Sequence, residues 1–200
     1  MMLYPTFHID ESIRKAADRA MERIAPVLAG IDETTDYNQQ KMMAAFGKAR
    51  VSESYFAAST GYGYGDRGRE ALDEVYAYAF GAEDALVRHN FVCGTHALTV
   101  ALFGVLRPGD TMLSVTGLPY DTLQSAIGLT GDGNGSLREF GIHYEQVDLK
   151  EDGTPDYDEI ARRVQPGLKM VYIQRSRGYS LRPSLFVEEI EKIPKIPKEK

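Results

Sequence analysis

This sequence is poor in cysteine, in basic charge and in long apolar runs. Its one cysteine, Cys93, cannot form an internal disulfide. With 23 Lys and Arg against 29 Asp and Glu, the formal net charge is −6. That balance excludes a broad nucleic-acid or anionic-membrane surface, because such surfaces concentrate cations. No apolar stretch approaches the ~20 residues that span a bilayer, and Met1-Met2-Leu3-Tyr4-Pro5 lacks the basic-then-apolar order of a signal peptide. The expected compartment is the cytoplasm, without membrane or nucleic-acid partners. The four histidines, His8, His89, His96 and His143, lack metal-ligand spacing, so no metal site is expected.

What is present is enough hydrophobic residue, 43% of 200, for an ordinary domain with a sizeable core. From Ile13, the positions Ala16, Ala17, Ala20, Met21 and Ile24 recur at helical spacing behind a candidate Asp10 cap, predicting a helix ended or kinked near Pro26. Residues 32–65 read as an arm or extended segment with a short helix around Gln39 to Lys48. After Gly65 the elements alternate. A helix carrying Leu72, Val75, Tyr76, Ala79 and Phe80 stops at Gly81, and a strand is expected at Ala85 to Val87. A helix over Thr95 to Leu106 and the turn Arg107-Pro108-Gly109-Asp110 lead into a strand at Thr111 to Thr116. A further helix begins near Tyr120, and Ser136 to Glu139 has capping-box spacing. Ile142 to Leu149 and Lys169 to Gln174 read as strands flanking a helix opened by Thr154-Pro155, and a last helix covers Ser184 to Ile193.

Strands alternating with helices of about ten residues predict an α/β fold with a mainly parallel sheet and helices on its faces. The expected organisation is an N-terminal helix and arm over 1–64, an α/β portion over 65–193, and a charged Pro/Lys tail over 194–200. Met170-Val171-Tyr172-Ile173 is as apolar as an interior strand, so neighbours are expected on both its sides, and the sheet reads as unfinished.

Cys93-Gly94-Thr95-His96 is the leading candidate site. Gly94 lets backbone approach a ligand, and the first amides of the following helix lack intrahelical partners, which suits an anionic group. The alternative is a simple N-cap with a core-facing histidine. Cys93 and His96 could also pair as nucleophile and base, or Cys93 could fill a cap position that serine would serve equally well. Gly63-Tyr64-Gly65-Asp66-Arg67-Gly68 matches the dinucleotide fingerprint literally, but the segment before it is polar and broken where a buried strand is required. Tyr120 lies just beyond a strand's carboxyl end, where a tyrosine can stack on a flat ring or pack on its own helix. Arg175 and Arg177 follow another strand and suit a carboxylate or phosphate, or simply a solvated loop.

Taken in order, Phe46, Ala49-Arg50-Val51-Ser52-Glu53, Thr60-Gly61-Tyr62-Gly63-Tyr64, Gly68-Arg69, Gly94-Thr95-His96-Ala97, Leu102 to Asp110, Pro119-Tyr120-Asp121-Thr122 and Ile173 to Tyr179 resemble the aluminium-resistance family. That family is similar to the methionine γ-lyase and cystathionine lyase enzymes. The resemblance reaches about Ile190 and implies a pyridoxal 5'-phosphate-dependent, aspartate-aminotransferase-like fold (fold type I) and carbon–sulfur lyase chemistry on a sulfur amino acid. It also implies a homodimer or homotetramer. By the same resemblance, Gly94, Thr95 and His96 would hold the cofactor phosphate, and Tyr120 would stack on its ring and act in catalysis. Tyr62, Tyr64 and Arg69 would reach a phosphate across a subunit interface. Arg175 and Arg177 stand where the relatives carry a loop of different motif facing cofactor and substrate, and a substrate-carboxylate role is the hypothesis for them. Cys93 stands where the family carries a serine-like residue. The family's Schiff-base lysine and its carboxylate for the pyridine nitrogen lie on later strands, and Lys150, Lys169, Lys192, Lys195, Lys198 and Lys200 sit in no matching motif. The expectation is therefore the N-terminal part of such an enzyme, inactive alone. The competing readings are a non-catalytic phosphate- or nucleotide-binding module and a degenerate fragment.

Overall fold

The computed structural model describes residues 8–62 and 64–195, and the chain divides into two compact units, Met1–His89 and Asn90–Lys200. The first unit is helical. Asp10 caps helix α1, Glu11–Lys48, by accepting from the Ser12 amide at 2.8 Å. A single 3-10 turn, Glu53–Phe56, precedes helix α2, Arg67–Phe80. Asp66 caps α2, and Gly81 ends it in the left-handed conformation at φ 64°, as the sequence pattern leads one to expect.

Two features of this unit differ from the sequence reading. Helix α1 neither ends at Pro26 nor gives way to an extended arm; it runs through residues 32–48. Within the helix the polar side chains are accommodated by bonding back to the preceding turn: Thr34 and Thr35 hydroxyls donate to the Gly30 and Ile31 carbonyls, and Asn38 donates to the Thr34 carbonyl. The second difference is that Ala85 to Val87 form no strand. The Val87 amide donates instead to the Asp73 carboxylate at 2.7 Å, and Arg88 pairs with the same group at 2.7 Å. Hydrogen bonding from Arg88 holds the Asp73 carboxyl below its ordinary range. The segment is thus fastened to α2 by a carboxylate rather than by a ladder.

The second unit is layered. Helix α3, Gly94–Val105, leads through the Arg107–Asp110 turn to strand β1, Thr111–Ser114. Then come α4, Asp121–Ile127; β2, His143–Gln146; α5, Tyr157–Arg163; β3, Met170–Tyr172; and α6, Val187–Glu191. The three strands form a parallel sheet of order β2-β1-β3. Alternation along β1 sends Met112 to one face, where it packs with Leu102 and Leu106 of the α3 end and Leu123 and Ile127 of α4. Leu113 points to the opposite face, with Ile160 of α5, Val164 and Ile193. Helices therefore cover both faces of β1, which is why Met112 and Leu113 on its two sides are both fully buried. Each strand is shorter than the segment expected from the sequence, and among the described residues β3 pairs only with β1.

Candidate functional site

Because β1 is the central strand and the chain crosses it between β2 and β3, the carboxyl ends of β1 and β3 lie side by side. Such a crossing is where open parallel sheets hold ligands. The loops leaving the two strands are tied together: the Gln174 amide donates to the Thr116 hydroxyl at 2.9 Å, and the Tyr120 amide donates to Gln174 Oε1 at 2.7 Å. Buried Ser114 shapes the first loop by donating to the Gly117 carbonyl at 2.6 Å. Arg182 shapes the second, donating to the carbonyls of Gln174 at 3.2 Å and Ser176 at 2.8 Å.

The α3 N-terminus borders this rim. Cys93 is its N-cap, and the sulfur accepts from the His96 amide at 3.4 Å. The amides of Gly94 and Thr95 have no partner among the described residues, and nothing lies within 4 Å of where a Gly94 side chain would begin. An anion can therefore approach these donors unobstructed. The Thr95 and Thr122 hydroxyls are 2.7 Å apart, so the first turns of α3 and α4 present paired hydroxyls beside the free amides. The His96 ring is pinned: Nδ1 accepts from the Val92 amide at 3.4 Å, and the ring packs edge-on against Phe91 at 5.7 Å.

Tyr120 is half-buried and precedes α4. One side of its ring rests against Gly178, where an added Cβ would stand 3.2 Å from two ring carbons. Tyr179 is its aromatic neighbour, with ring centroids 5.9 Å apart. Hydrogen bonding with Tyr179 first, then burial, raises the Tyr120 phenol above its ordinary range, so the group holds its proton at neutral pH.

Among the residues singled out from sequence, Gly94, Thr95, His96 and Tyr120 share this rim. Arg175 is exposed, and its Nε donates to the Leu185 carbonyl at 2.8 Å, bracing the base of the second loop. Arg177 is exposed in the same loop. Tyr62, Tyr64 and Arg69 belong to the first unit: the two tyrosines are 83% and 94% exposed, and Arg69 pairs with Asp66 at 3.6 Å. The Gly63–Gly68 motif is preceded by a 3-10 turn and irregular chain, with no strand among the described residues. Gly63 itself lies outside them. Gly68 is required for packing, since a Cβ there would collide with the Tyr55 carbonyl. Thr122, Gln174 and Arg182 were not singled out from sequence. Thr122 was findable, because a hydroxyl in the first turn after a strand's carboxyl end is well placed to meet a ligand.

The methionine gamma-lyase family profile matches residues 13–200. Protein YnbB of Bacillus subtilis (strain 168) is 43% identical over 198 residues, covering 98% of this chain and 47% of that protein. The solved carbon-sulfur lyase involved in aluminium resistance from Clostridium novyi NT is 50% identical with a TM-score of 0.87, over 92% of this chain and 44% of that one. A protein of Clostridium acetobutylicum, proposed to be a cystathionine beta-lyase involved in aluminium resistance, is 45% identical with a TM-score of 0.89, over 96% and 46%. The chain thus spans about half the length of these relatives. With nearly every residue from Ile13 onward matched, this chain belongs to the methionine gamma-lyase family.

Proposed function

We propose that this chain supplies the phosphate- and ring-binding wall of a pyridoxal 5'-phosphate-dependent carbon–sulfur lyase of fold type I, acting on a sulfur amino acid. The observation that carries the reading is the free Gly94 and Thr95 amides beside the Thr95–Thr122 hydroxyl pair, with open space in front of Gly94. This donor set fits a phosphate: it combines amides at the positive end of a twelve-residue helix with hydroxyls that can donate. The half-buried ring of Tyr120, held from one side by Gly178, fits a flat heteroaromatic group. When bound, the cofactor supplies the electron sink that lets an α-proton leave an amino acid.

The residues of the wall then have distinct tasks. Gly94, Thr95 and Thr122 bind and orient the phosphate, and His96 stiffens the turn that presents them. Tyr120 stacks and keeps its phenolic proton available, because its neighbours raise its pKa. Arg177 offers a guanidinium to a substrate carboxylate, with Arg175 in reserve through the nitrogens that Leu185 does not engage. Tyr62, Tyr64 and Arg69 are proposed to serve a phosphate site across a subunit interface. No lysine occurs within residues 90–128 or 174–185, so the wall has binding groups but no amine to form a covalent link with the cofactor. Alone, the chain is expected to bind without turnover.

Titration of the chain with pyridoxal 5'-phosphate and with pyridoxal tests this directly. The phosphate ester should bind at least about tenfold more tightly, and Thr95→Val should abolish most of that difference. Borohydride reduction should label no single lysine stoichiometrically. Equal affinity for the two aldehydes, or one specifically labelled lysine, would overturn the reading.

A further inference from the structure

Strand β3 delivers half-buried Gln174 into the crevice beside the exit of β1. Its backbone amide donates to the Thr116 hydroxyl at 2.9 Å, and its backbone carbonyl accepts from Arg182 Nη2 at 3.2 Å. The side chain faces two ways. Oε1 accepts from the Tyr120 amide at 2.7 Å, and Nε2 donates to the Ser176 carbonyl at 3.2 Å. One carboxamide thus bridges the loop that leaves β1 to the loop that leaves β3.

The chemistry of this bridge is demanding, because one partner is a donor and the other an acceptor. A glutamate offers acceptors alone, a lysine or arginine donors alone, and a methionine neither to any useful degree. Turning the amide over would set donor against donor at Tyr120 and acceptor against acceptor at Ser176, so the two bonds together fix its orientation. Asparagine carries the same groups and is one methylene shorter.

What is bridged is what the rim must keep in register. On the β1 side, the Tyr120 carbonyl accepts from the Leu123 amide at 2.9 Å, so α4 holds one end of this residue's backbone and Gln174 the other. On the β3 side, the segment from Arg175 to Leu185 is closed at its base by a reciprocal pair: Arg175 Nε donates to the Leu185 carbonyl at 2.8 Å, and the Leu185 amide donates to the Arg175 carbonyl at 3.3 Å. At its tip the Ser180 amide donates to the Arg177 carbonyl at 3.1 Å, making a turn that carries Gly178 and Tyr179 beside the Tyr120 ring. Arg182 Nη2 binds the same Ser176 carbonyl that Gln174 grips, at 2.8 Å. Gly153 leaves room for its stem, since a Cβ there would stand 3.0 Å from Arg182 Cβ. Ser176 directly precedes Arg177, so its position sets where the turn begins.

We infer that Gln174 is a positioning residue: its carboxamide holds the Tyr120 ring and the Arg177 turn in fixed register, so that a ligand's flat ring and its carboxylate are met together. The roles of the two ends rest on the cofactor reading proposed above, whereas the bridge between them does not. Gln174 need touch neither group of the ligand.

A molecule that joins ring, phosphate and carboxylate tests this without a lysine. N-(5'-phosphopyridoxyl)-L-alanine is compared by calorimetric titration with pyridoxamine 5'-phosphate, which lacks the carboxylate, and with pyridoxamine, which also lacks the phosphate. In the unaltered chain the phosphate and the carboxylate should each tighten binding at least about tenfold. Gln174→Met should reduce the carboxylate gain to below about threefold, as Arg177→Met should, and leave the phosphate gain within about twofold of its original value. The chain has no tryptophan, so tyrosine dominates its near-ultraviolet dichroism, and Gln174→Met should alter the part of that signal which Tyr179→Phe removes. If Gln174→Met does not fold, Gln174→Asn should give the same pattern, being too short to reach both partners. Equal loss of both gains would overturn the inference, because a residue that merely supports the rim weakens every contact alike. A carboxylate gain that survives Gln174→Met, or that is absent from the unaltered chain, would overturn it as well. Absence of the phosphate gain from the unaltered chain overturns the cofactor reading instead. The tyrosine signal, which needs no ligand, then decides for Gln174: altered by Gln174→Met, it upholds the bridge, and unaltered, it overturns it.

Discussion

In the first unit the most buried side chains are small: Ala45, Ala49, Ala79 and Val75 form its cluster. In the second, Met112, Leu113, Leu123, Ile127, Leu137 and Ile160 are at most 1% exposed, around a central strand covered on both faces. Area buried, more than helix propensity, decides stability. The second unit therefore carries most of its own driving force, whereas the first leans on polar fastenings such as Asp73–Arg88 and leaves Ile13, Ile24, Val27 and Ile31 of α1 exposed. The difference sets where tolerance lies: truncating the largest buried side chains around β1 should cost more than truncating the largest one buried in α2.

The sharpest test of that contrast is a pair of truncations. Leu113→Ala removes a fully buried side chain from the central strand and should cost about 2–5 kcal/mol. Val75→Ala in α2, losing two methyl groups, should cost about 1.5 kcal/mol. Urea unfolding followed by circular dichroism measures both. Equal losses would erase the distinction between the units.

A second way to separate the units is acid. The Asp73 carboxyl is depressed below its ordinary 3.8, mainly by hydrogen bonding from Arg88, and Asp66 is depressed by Ser59 and the Arg69 amide. A carboxylate with a depressed folded-state pKa contributes stability above its unfolded value, and loses it as pH falls through the folded value. The stabilisation is thus complete above the usual carboxylate range and fades below pH 3.8. Hydrogen exchange at the Val87 amide, which donates to Asp73, should accelerate in that window before the amides of β1 do. Simultaneous loss of both would mean that the Asp73 fastening does not act locally.

The presence and order of α2 through α5 and of the three observed strands were legible because most are punctuated by local chemistry. Gly81 and Gly128 stop helices at positive φ, Asp156 caps α5, and Gly109 turns the chain into β1. The continuity of α1 was not legible, because Pro26 reads as a stop, and because the back-bonds by which Thr34, Thr35 and Asn38 are accommodated form only in a helix that already exists. The strand expected at Ala85–Val87 failed for a related reason: its amide found a carboxylate fourteen residues away. The rim divides in the same manner. Gly94, Thr95 and Tyr120 declare themselves by their place at element ends. Thr122 and Gln174 matter through contacts with Thr95 and Tyr120 across 27 and 54 residues, which no periodicity encodes.

Within the second unit, the rim should be less forgiving of shape than of stability. Gly178 has φ 57°, and an added Cβ would press on the Tyr120 ring at 3.2 Å. Gly178→Ala should cost about 1–2 kcal/mol for the left-handed backbone while displacing Tyr120, seen as a change in near-ultraviolet dichroism with far-ultraviolet dichroism intact. Pyridoxal 5'-phosphate should also bind the variant more weakly. An unaltered tyrosine signal would mean that the ring has room to move and that Gly178 does not position it.

The smallest expected effect concerns the cap of α3. Cys93 accepts from the His96 amide through sulfur at 3.4 Å, a weak acceptor compared with a hydroxyl oxygen. Cys93→Ser should raise stability slightly, by up to about 1 kcal/mol. The cap engages the third amide of the helix and leaves those of Gly94 and Thr95 free, so affinity for pyridoxal 5'-phosphate should change by less than about twofold. If affinity instead falls sharply while stability rises, the sulfur itself contacts the ligand. The rim would then have to be redrawn with Cys93 facing the ligand rather than closing the helix.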